Sequence, residues 1–282
     1  MKNQIKTILL FGLLTGLFLA IGNLLAGVQG LTIALILALA FNFGAYWFSD
    51  KIVLSMYRAK ETNDLKLINM VKQVSQKAGL PMPKVYMIDS DNPNAFATGR
   101  NPKISAIAFT TGIVDLLNEK ELKGVIAHEL SHIKNRDTLI ATIAASIAAG
   151  ISYIAMIARW SAIFGGFSSS DKKRGSGFEV LFLTVLTPVI ATLIRLAISR
   201  SREYFADEKA AETIDDPVAL ADALIKLDNH SKKNPMMFGN RATASLFIVN
   251  PFSGKSFLEL LSTHPNVEKR VGKLKKIGMK ND

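Results

Sequence analysis

The chemistry of this chain centres on a short segment that carries two histidines and a glutamate, His128-Glu129-x-x-His132. Positions i and i+4 of a helix lie on the same face, so His128 and His132 can offer two imidazole nitrogens to one metal ion. Glu129 follows the first histidine directly and can reach a water molecule on that metal. Two neutral histidine ligands, an open coordination position and a carboxylate base are the parts of a catalytic zinc centre.

The alternative interpretation is that both histidines are ordinary core residues. The chain contains only four histidines, and two of them stand at helical spacing with a glutamate between them. Apolar residues surround the motif and no proline interrupts it, which is typical of a helix that is packed inside a domain. The pattern therefore favours a metal centre, and such a centre needs a third protein ligand.

Glu203 is the candidate for the third ligand, because of where two apolar segments place it. Residues 139–158 and 180–198 are apolar and flank a polar loop, so they predict a membrane hairpin that returns the chain to the same membrane face. His132 lies seven residues before this hairpin, about 10 Å along a helix. Glu203 lies five residues after it, at a similar depth. His₂Glu is a common catalytic zinc set, so we predict that Glu203 is a ligand.

Asp207 lies four residues after Glu203, on the same face of the predicted helix. It could accept the distal N–H of a ligand histidine and so fix the orientation of that ring. The alternative is that Glu203 and Asp207 form a solvated acidic face that pairs with Arg200 and Arg202.

A second apolar hairpin is predicted at the start of the chain. Residues 7–49 include no charged residue over 43 positions, which is enough for two spans of about 20 residues each. We place the spans at residues 6–26 and 31–48, on either side of a Gly-Val-Gln-Gly turn. A cleaved signal peptide is the competing interpretation, but the first run is longer than a usual signal and a second run follows at once.

The composition and the distribution of charge indicate what kind of partner the chain binds. The chain has 282 residues, of which 49% are hydrophobic, and a net charge of +11. The basic residues flank the apolar spans or crowd the C-terminus, which favours attraction to an anionic membrane surface over binding of nucleic acid. The chain has no cysteine, so disulfides and thiolate ligands are excluded.

The remaining segments predict a mostly α fold with a small β-sheet, an α+β metal domain that is split by membrane helices. Helical periodicity marks residues 63–80, and short strands are predicted at residues 85–88 and 104–111. We divide the chain into an N-terminal transmembrane hairpin (1–50), the first part of the metal domain (51–138), a second hairpin (139–198) and the second part of the metal domain (199–282). The predicted total is four transmembrane helices.

The flanking charges predict the orientation of these helices. Lys2 and Lys6 precede the first span, and Lys51, Arg58 and Lys60 follow the second. The positive-inside rule therefore places both termini and the metal domain in the cytoplasm. The basic residues 172–174 disagree with this assignment, since they would face outward, but the first hairpin usually dominates.

Four motifs together resemble the HtpX family of membrane zinc proteases, over essentially the whole chain. They are residues 94–99 (Asn-Ala-Phe-Ala-Thr-Gly), the His128 helix, residues 199–207 with Glu203 and Asp207, and Thr263-His264-Pro265. The resemblance implies four spans in the cell inner membrane, a cytoplasmic gluzincin-type domain and one Zn²⁺ per chain. It also implies quality-control proteolysis of misfolded or damaged membrane proteins under envelope stress, together with other membrane proteases, and self-cleavage.

The wider clan, which includes the CAAX prenyl proteases, implies roles for three further residues. Asn94 would hold the substrate backbone, His264 would stabilise the oxyanion, and Arg270 would pair with Glu203. From the sequence alone, Asn94 is equally a turn residue, Arg270 a solvated helix charge and His264 an exposed loop residue. We also predict that residues 104–109 form an edge strand to which an extended substrate adds.

Two other functions fit parts of the pattern. One is a CAAX-type endopeptidase for prenylated proteins, which should need a cavity that is enclosed by more than four spans. The other is a membrane metal sensor or transporter without enzymatic activity. Transport paths use ionisable residues inside the membrane. Here the spans carry only Arg159 and Arg195, both near ends, and a sensor has no use for Glu129 beside a ligand.

Overall fold

The computed structural model describes residues 2–147, 200–234, 246–249 and 265–281. These residues are mostly helical and include one small mixed sheet, so the predicted α+β class is confirmed. The elements are α1 (Lys2–Met56), β1 (Lys60–Glu61), α2 (Leu65–Ala78), β2 (Lys84–Ile88), β3 (Ala95–Asn101), β4 (Ile104–Thr110), α3 (Thr111–Leu116), α4 (Glu119–Lys134), α5 (Asp137–Ile147), α6 (Arg200–Ile214), α7 (Pro217–Lys233) and α8 (Val267–Asn281).

The first element, α1, is a helical hairpin. Its backbone leaves helical geometry at Ala26 and Gly27, and Gly27 adopts a φ of 56°, which suits glycine at a turn. The Asn42 side chain of the second helix donates to the Thr15 hydroxyl at 2.9 Å and to the Phe11 carbonyl at 3.4 Å, so the two helices run antiparallel.

The two parts of α1 are long and apolar enough to cross a membrane. They comprise Ile5–Leu24 and Ala26–Met56, and only 17% of each apolar window is buried inside the protein. An apolar surface of this extent needs a lipid environment. The predicted hairpin is therefore confirmed, although the structure turns one residue earlier than we predicted and continues the second helix to Met56. Of the predicted second hairpin, the structure describes only α5; the four-helix count lies outside the described residues.

The sheet has the order β1-β2-β4-β3, with β2 parallel to β4 and β3 antiparallel to it. This order corrects the prediction that residues 104–109 form an edge strand, because they belong to the central strand β4. Residues 106–109 are all buried, as is typical of a strand that is covered on both faces. The edge strand is β3, which has small residues and a weak strand pattern.

Helices cover both faces of the sheet. On one face, apolar residues of α2, α4, α7 and α8 form the main core. On the other face, the end of α1 packs against the sheet through Val53 and Tyr57, and Tyr57 contacts the rings of Phe96 and Phe247. The membrane hairpin and the metal domain therefore share a core. Residues 246–249 are buried and contribute to the apolar clusters on both faces of the sheet.

Helix ends agree with local sequence signals. Asp216 caps α7, whose first residue is Pro217. Asn118 and Glu121 form a reciprocal capping box at the start of α4. Asp64 caps α2, and Gly79 ends it with a left-handed φ of 68°. The capping box sets the start of α4, which carries the motif histidines, and the other two caps belong to helices that pack against α4.

The close crossing of the hairpin yields a prediction about stability. A side chain at Gly30 would meet the backbone of Gly22 on the facing helix, whereas a side chain at Gly12 would meet nothing within 4 Å. We expect Gly30→Leu to destabilise the full chain by about 1–3 kcal/mol, because the helices must separate. Thermal unfolding in detergent measures the change, with Gly12→Leu as the matched control. Equal unfolding temperatures for the two variants would show that the crossing is not tight.

Candidate metal centre

Helix α4 presents the two motif histidines toward one point. The Nε2 atoms of His128 and His132 lie 3.2 Å apart, and the two rings are nearly perpendicular. The helix is held in place by burial along most of its length, between the sheet and the helices α2, α6 and α7. Gly124 allows the close approach to α7, since a side chain there would press on the Leu220 backbone.

Glu203 reaches the same point from α6, the helix that packs against α4. Its Oε1 lies 3.5 Å from His132 Nε2, and its Oε2 lies 3.7 Å from His128 Nε2. One ligand atom of each of the three residues lies within 4.8 Å of the others. The fold thus brings together the three residues that we predicted as ligands, from segments separated by about a quarter of the chain.

The three donors fit a tetrahedral metal ion. A zinc ion with bonds of about 2.0–2.2 Å separates its ligand atoms by about 3.3–3.6 Å. The two Nε2 atoms lie 3.2 Å apart. One Glu203 oxygen lies 3.5 Å from His132 Nε2 and the other lies 3.7 Å from His128 Nε2, so the carboxylate faces both histidines at distances close to that range. Both histidines also turn their Nδ1 atoms to carboxylates, so the Nε2 lone pairs converge. A cation between the Nε2 atoms and Glu203 would satisfy all three groups.

A carboxylate and an arginine lie on the Nδ1 side of the His128 ring. Its Nδ1 lies 2.9 Å from Asp207 Oδ1, and Arg270 binds both oxygens of Asp207 at 2.7 and 2.8 Å. Burial alone would raise the pKa of Asp207, but Arg270 and His128 lower it to about 2. Asp207 therefore stays ionised and can orient the His128 ring, which is the position that we predicted for it.

The neighbouring carboxylates also change the pKa of His128. Burial alone would lower its pKa, but hydrogen bonds to Asp207 and Glu203 raise it to about 9. In the metal-free protein His128 therefore carries a proton at neutral pH. Since a metal ligand must be neutral imidazole, metal binding releases that proton.

A second carboxylate and a second arginine lie on the Nδ1 side of the His132 ring. The sequence did not predict these contacts. Asp137 Oδ2 lies 3.2 Å from His132 Nδ1, and Arg202 donates to Asp137 Oδ1 at 3.0 Å. Burial alone would raise the pKa of Asp137, but His132 and Arg202 lower it. Each ligand histidine is thus backed by an aspartate that an arginine holds.

Sequence periodicity could not reveal Asp137, because it lies five residues after His132 and beyond the end of α4. Helix α4 ends at Lys134, and Arg136 adopts a left-handed φ of 57° before α5 begins. This turn bends the chain so that Asp137 faces back toward His132. The one sequence feature that could have indicated this role is that Asp137 is an acidic residue at the boundary of an apolar segment.

Glu129 lies on the face of α4 that packs on the edge strand β3. Its side chain is buried, and the Ala97 backbone lies close enough to act on the pKa of its carboxyl group. Burial raises the pKa of Glu129, although His128 and His132 act in the opposite direction. A carboxylate held this close to the histidines can exchange a proton with a group bound at the centre.

The remaining predicted residues have different placements. Arg270 is only 1% exposed, and it bonds mainly to Asp207; Glu203, its predicted partner, lies farther away at 3.6 Å. Asn94 is buried, and its amide donates to the Val249 carbonyl at 2.7 Å. Its predicted contact with substrate stays a prediction. His264 lies outside the described residues.

Comparison with known proteins places this geometry in a family. Residues 59–278 match the family described as peptidase family M48. A protein named "Protease HtpX homolog" from Desulfatibacillum aliphaticivorans is 50% identical over 97% of this chain and 89% of its own length. Relatives of the same name from Thermodesulfovibrio yellowstonii and Pyrococcus furiosus are 50% and 49% identical, over 96% and 98% of this chain and 97% and 96% of their own lengths.

A solved structure shares the fold. "Crystal Structure of S. mikatae Ste24p" aligns with 96% of this chain at a TM-score of 0.53 and 20% identity. The chain spans 65% of the length of that structure. At this identity the likeness concerns the fold alone.

The unexpected partner of His132 yields a prediction about metal affinity. Asp137→Asn removes the charge that orients and polarises this ring, so we expect the affinity for a divalent metal to fall about 10–100-fold. Competition against a fluorescent chelator measures the change. Asp228→Asn is the matched control, because Asp228 pairs with Lys232 on α7 and does not contact the site. Unchanged affinity in Asp137→Asn would mean that the contact has no role in holding the metal.

Proposed function

This chain belongs to peptidase family M48, and from that premise we propose that His128, His132 and Glu203 hold one zinc ion for cleavage of proteins at the membrane. The chain is a membrane metalloprotease, as its curated HtpX relatives at about half identity indicate.

The observation that carries the proposal is the convergence of three ligand atoms beside a buried carboxylate. The ligand atoms of His128, His132 and Glu203 lie within 4.8 Å of one another. Glu129, the next residue after His128, is only 3% exposed. Structural zinc sites have four protein ligands, whereas catalytic sites have three and leave one position open. Three converging ligands with an adjacent base therefore support catalysis.

Zinc fits this donor set better than other divalent metals. Two imidazoles and one carboxylate, without thiolates, form a common set of catalytic zinc ligands, whereas magnesium and calcium prefer oxygen donors alone. When bound, zinc acts as a Lewis acid that polarises a substrate carbonyl and makes water acidic near neutral pH. Asp207 and Asp137 fix the two imidazole rings so that their Nε2 atoms face the ion.

Glu129 is the general base in this proposal. It takes a proton from the attacking water and passes that proton to the amine that leaves. Its side chain is buried near the Ala97 backbone of the edge strand and beside the two histidines, and this burial limits its rotation. His264 is the proposed donor to the oxyanion and Asn94 the proposed contact for the substrate backbone, both by resemblance to the wider clan.

We propose unfolded or misfolded membrane proteins as substrates, in cooperation with other membrane proteases. Two features support this class. The apolar helix α5 begins at Asp137, so the metal centre lies within a few residues of an apolar segment. The curated relatives are named as proteases of the HtpX type, and that family, which this chain resembles, acts in membrane protein quality control. If a substrate strand adds to the sheet, its position is β3 and not β4.

The proposed location is the inner membrane of the cell, with four spans and a cytoplasmic metal domain. The hairpin α1 is antiparallel, so its basic flanks (Lys2, Lys6 and Lys51) lie on one side. The positive-inside rule assigns that side to the cytoplasm. The two spans beyond α1 rest on the apolar segments 139–158 and 180–198.

The alternatives that we considered are not favoured. A metal sensor or transporter does not agree with membership of a peptidase family. A CAAX-type endopeptidase is not favoured either, because relatives at about half identity over nearly the full chain are named HtpX homologues, whereas the likeness to Ste24p is at 20% identity.

Substitution of the proposed base tests the mechanism. We expect Glu129→Gln to slow digestion of an unfolded model protein by about 10²–10⁴-fold. Bound zinc should stay at one ion per chain, because Glu129 is not a ligand. Digestion is followed by gel with the full chain in detergent, and metal content is measured by mass spectrometry on the same samples.

The control for this experiment is Glu119→Gln, which removes the same charge from the exposed start of α4. This variant should digest the substrate at the parental rate. Retained digestion by Glu129→Gln would exclude Glu129 as the base, and loss of zinc from that variant would show that Glu129 belongs to the ligand set.

The absence of native cysteine makes the orientation directly testable. Gln29, two residues after the turn at Gly27, and Lys66 on α2 are both exposed, so a single cysteine at either position should react with maleimide. In intact cells, a membrane-impermeant maleimide should label Gln29→Cys, whereas Lys66→Cys should react only after permeabilisation. The opposite pattern would invert the proposed topology.

A further inference from the structure

A large cavity lies where the membrane hairpin meets the metal domain. Its volume is about 1490 Å³, and its walls come from both helices of α1, the β3–β4 connection, the α4–α5 turn and the start of α6. Small-molecule pockets usually measure about 300–1,000 Å³, so this cavity has room for a larger ligand. Apart from Asp137 and Arg202, which contact the metal centre through His132, the residues that line it have no part in the proposed catalysis.

The residues that line the cavity carry an excess of positive charge. Arg100, Lys103, Arg136 and Arg202 contribute four cations, against one anion at Asp137. Arg202 and Asp137 bind each other. No carboxylate lies within ion-pair distance of the Arg100, Lys103 or Arg136 side chains in the described ranges. Three cations that face one cavity without a counter-charge favour an anionic ligand.

The opposite wall is apolar and belongs to the membrane hairpin. Ile8 and Phe11 line the cavity from the first helix, and Ile8 is 69% exposed. Tyr46 lines it from the second helix. The next residue, Trp47, packs against Arg100: the guanidinium carbon of Arg100 lies 3.9 Å from the centroid of the Trp47 ring. Tyrosine and tryptophan concentrate at the level of lipid headgroups, so the basic wall lies at headgroup depth.

We propose that this cavity binds one anionic glycerophospholipid, with its phosphate held by Arg100, Lys103 and Arg136 and its acyl chains lying along Ile8 and Phe11. Arginine and lysine form charge-assisted hydrogen bonds to phosphate oxygens, and basic pockets beside membrane helices suit anionic headgroups. A soluble phosphate compound would use the basic wall but leave the apolar wall exposed. An acidic peptide would do the same, so the lipid fits both walls best.

The test is native mass spectrometry of the full chain in a neutral detergent, with Glu129→Gln as background so that self-cleavage cannot interfere. Phosphatidylglycerol and phosphatidylcholine with identical acyl chains are titrated separately. We expect one phosphatidylglycerol per chain, bound at least about tenfold more tightly than phosphatidylcholine. Both lipids carry the phosphate, but the choline cation of phosphatidylcholine cancels the charge of its phosphate and is repelled by the three basic side chains. The double variant Arg100→Gln/Lys103→Gln should reduce this preference to about twofold or less.

Matched variants separate a specific site from general surface charge. Lys51→Gln/Lys60→Gln removes two exposed cations outside the cavity, and it should keep the full preference. Thermal unfolding checks that each variant is folded. If the cavity double variant does not fold, Arg136→Asn replaces it, because asparagine tolerates the positive φ at that position.

Four results would overturn the proposal: equal binding of the two lipids, an undiminished preference in the cavity variants, an equal loss in the control variant, or displacement of the lipid by equimolar inorganic phosphate or an acidic peptide. None of these readouts depends on proteolysis. Failure of the lipid proposal is therefore distinguishable from failure of the proposed protease mechanism.

Discussion

The charges that are buried where α4, α6 and α8 meet are the constraint on which the rest of the structure depends. Glu129, Glu203 and Asp207 are each at most 5% exposed, and Arg270 is the fully buried cation beside them. Removing an ion from water costs several kcal/mol unless a partner with good geometry balances it. Arg270 balances Asp207 through two short hydrogen bonds. Three carboxylates thus face two cations, Arg270 and the protonated His128, and a divalent cation that displaces this proton would balance the charge of the centre.

This charge balance explains why distant parts of the chain must pack together. The two histidines lie on α4, Glu203 and Asp207 on α6, and Arg270 on α8 near the end of the chain. The α8 helix is anchored in the main core by Val271 and Leu274, which places the guanidinium between Asp207 and the Ile248 carbonyl. The core thus fixes the position of Arg270, and Arg270 in turn fixes Asp207. The rigidity of the centre is a property of the whole domain.

How much of this could be predicted depended on whether a contact was local in sequence. The pair His128 and His132 follows from helical periodicity alone, and Glu203 follows from the expected return of a membrane hairpin. Asp137 could not be predicted, because a left-handed turn at Arg136 directs it, and such a turn leaves no periodic signal. The resemblance implied that Arg270 pairs with Glu203, but in the folded domain Asp207 lies closer to Arg270 than Glu203 does. The edge strand β3 was missed because its small residues carry little strand propensity.

The turn that directs Asp137 also links the metal centre to the membrane. Helix α5 begins at Asp137, and its residues Leu139, Ile143 and Ile147 pack against Leu10 and Leu14 of the hairpin. Because a close-packed interior transmits strain, we expect a shift of α5 against the hairpin to displace the Asp137 carboxylate that contacts His132. Loops would absorb such a displacement, but only two residues separate α4 from α5. The hairpin therefore does more than anchor the domain: it fixes the element that orients one metal ligand.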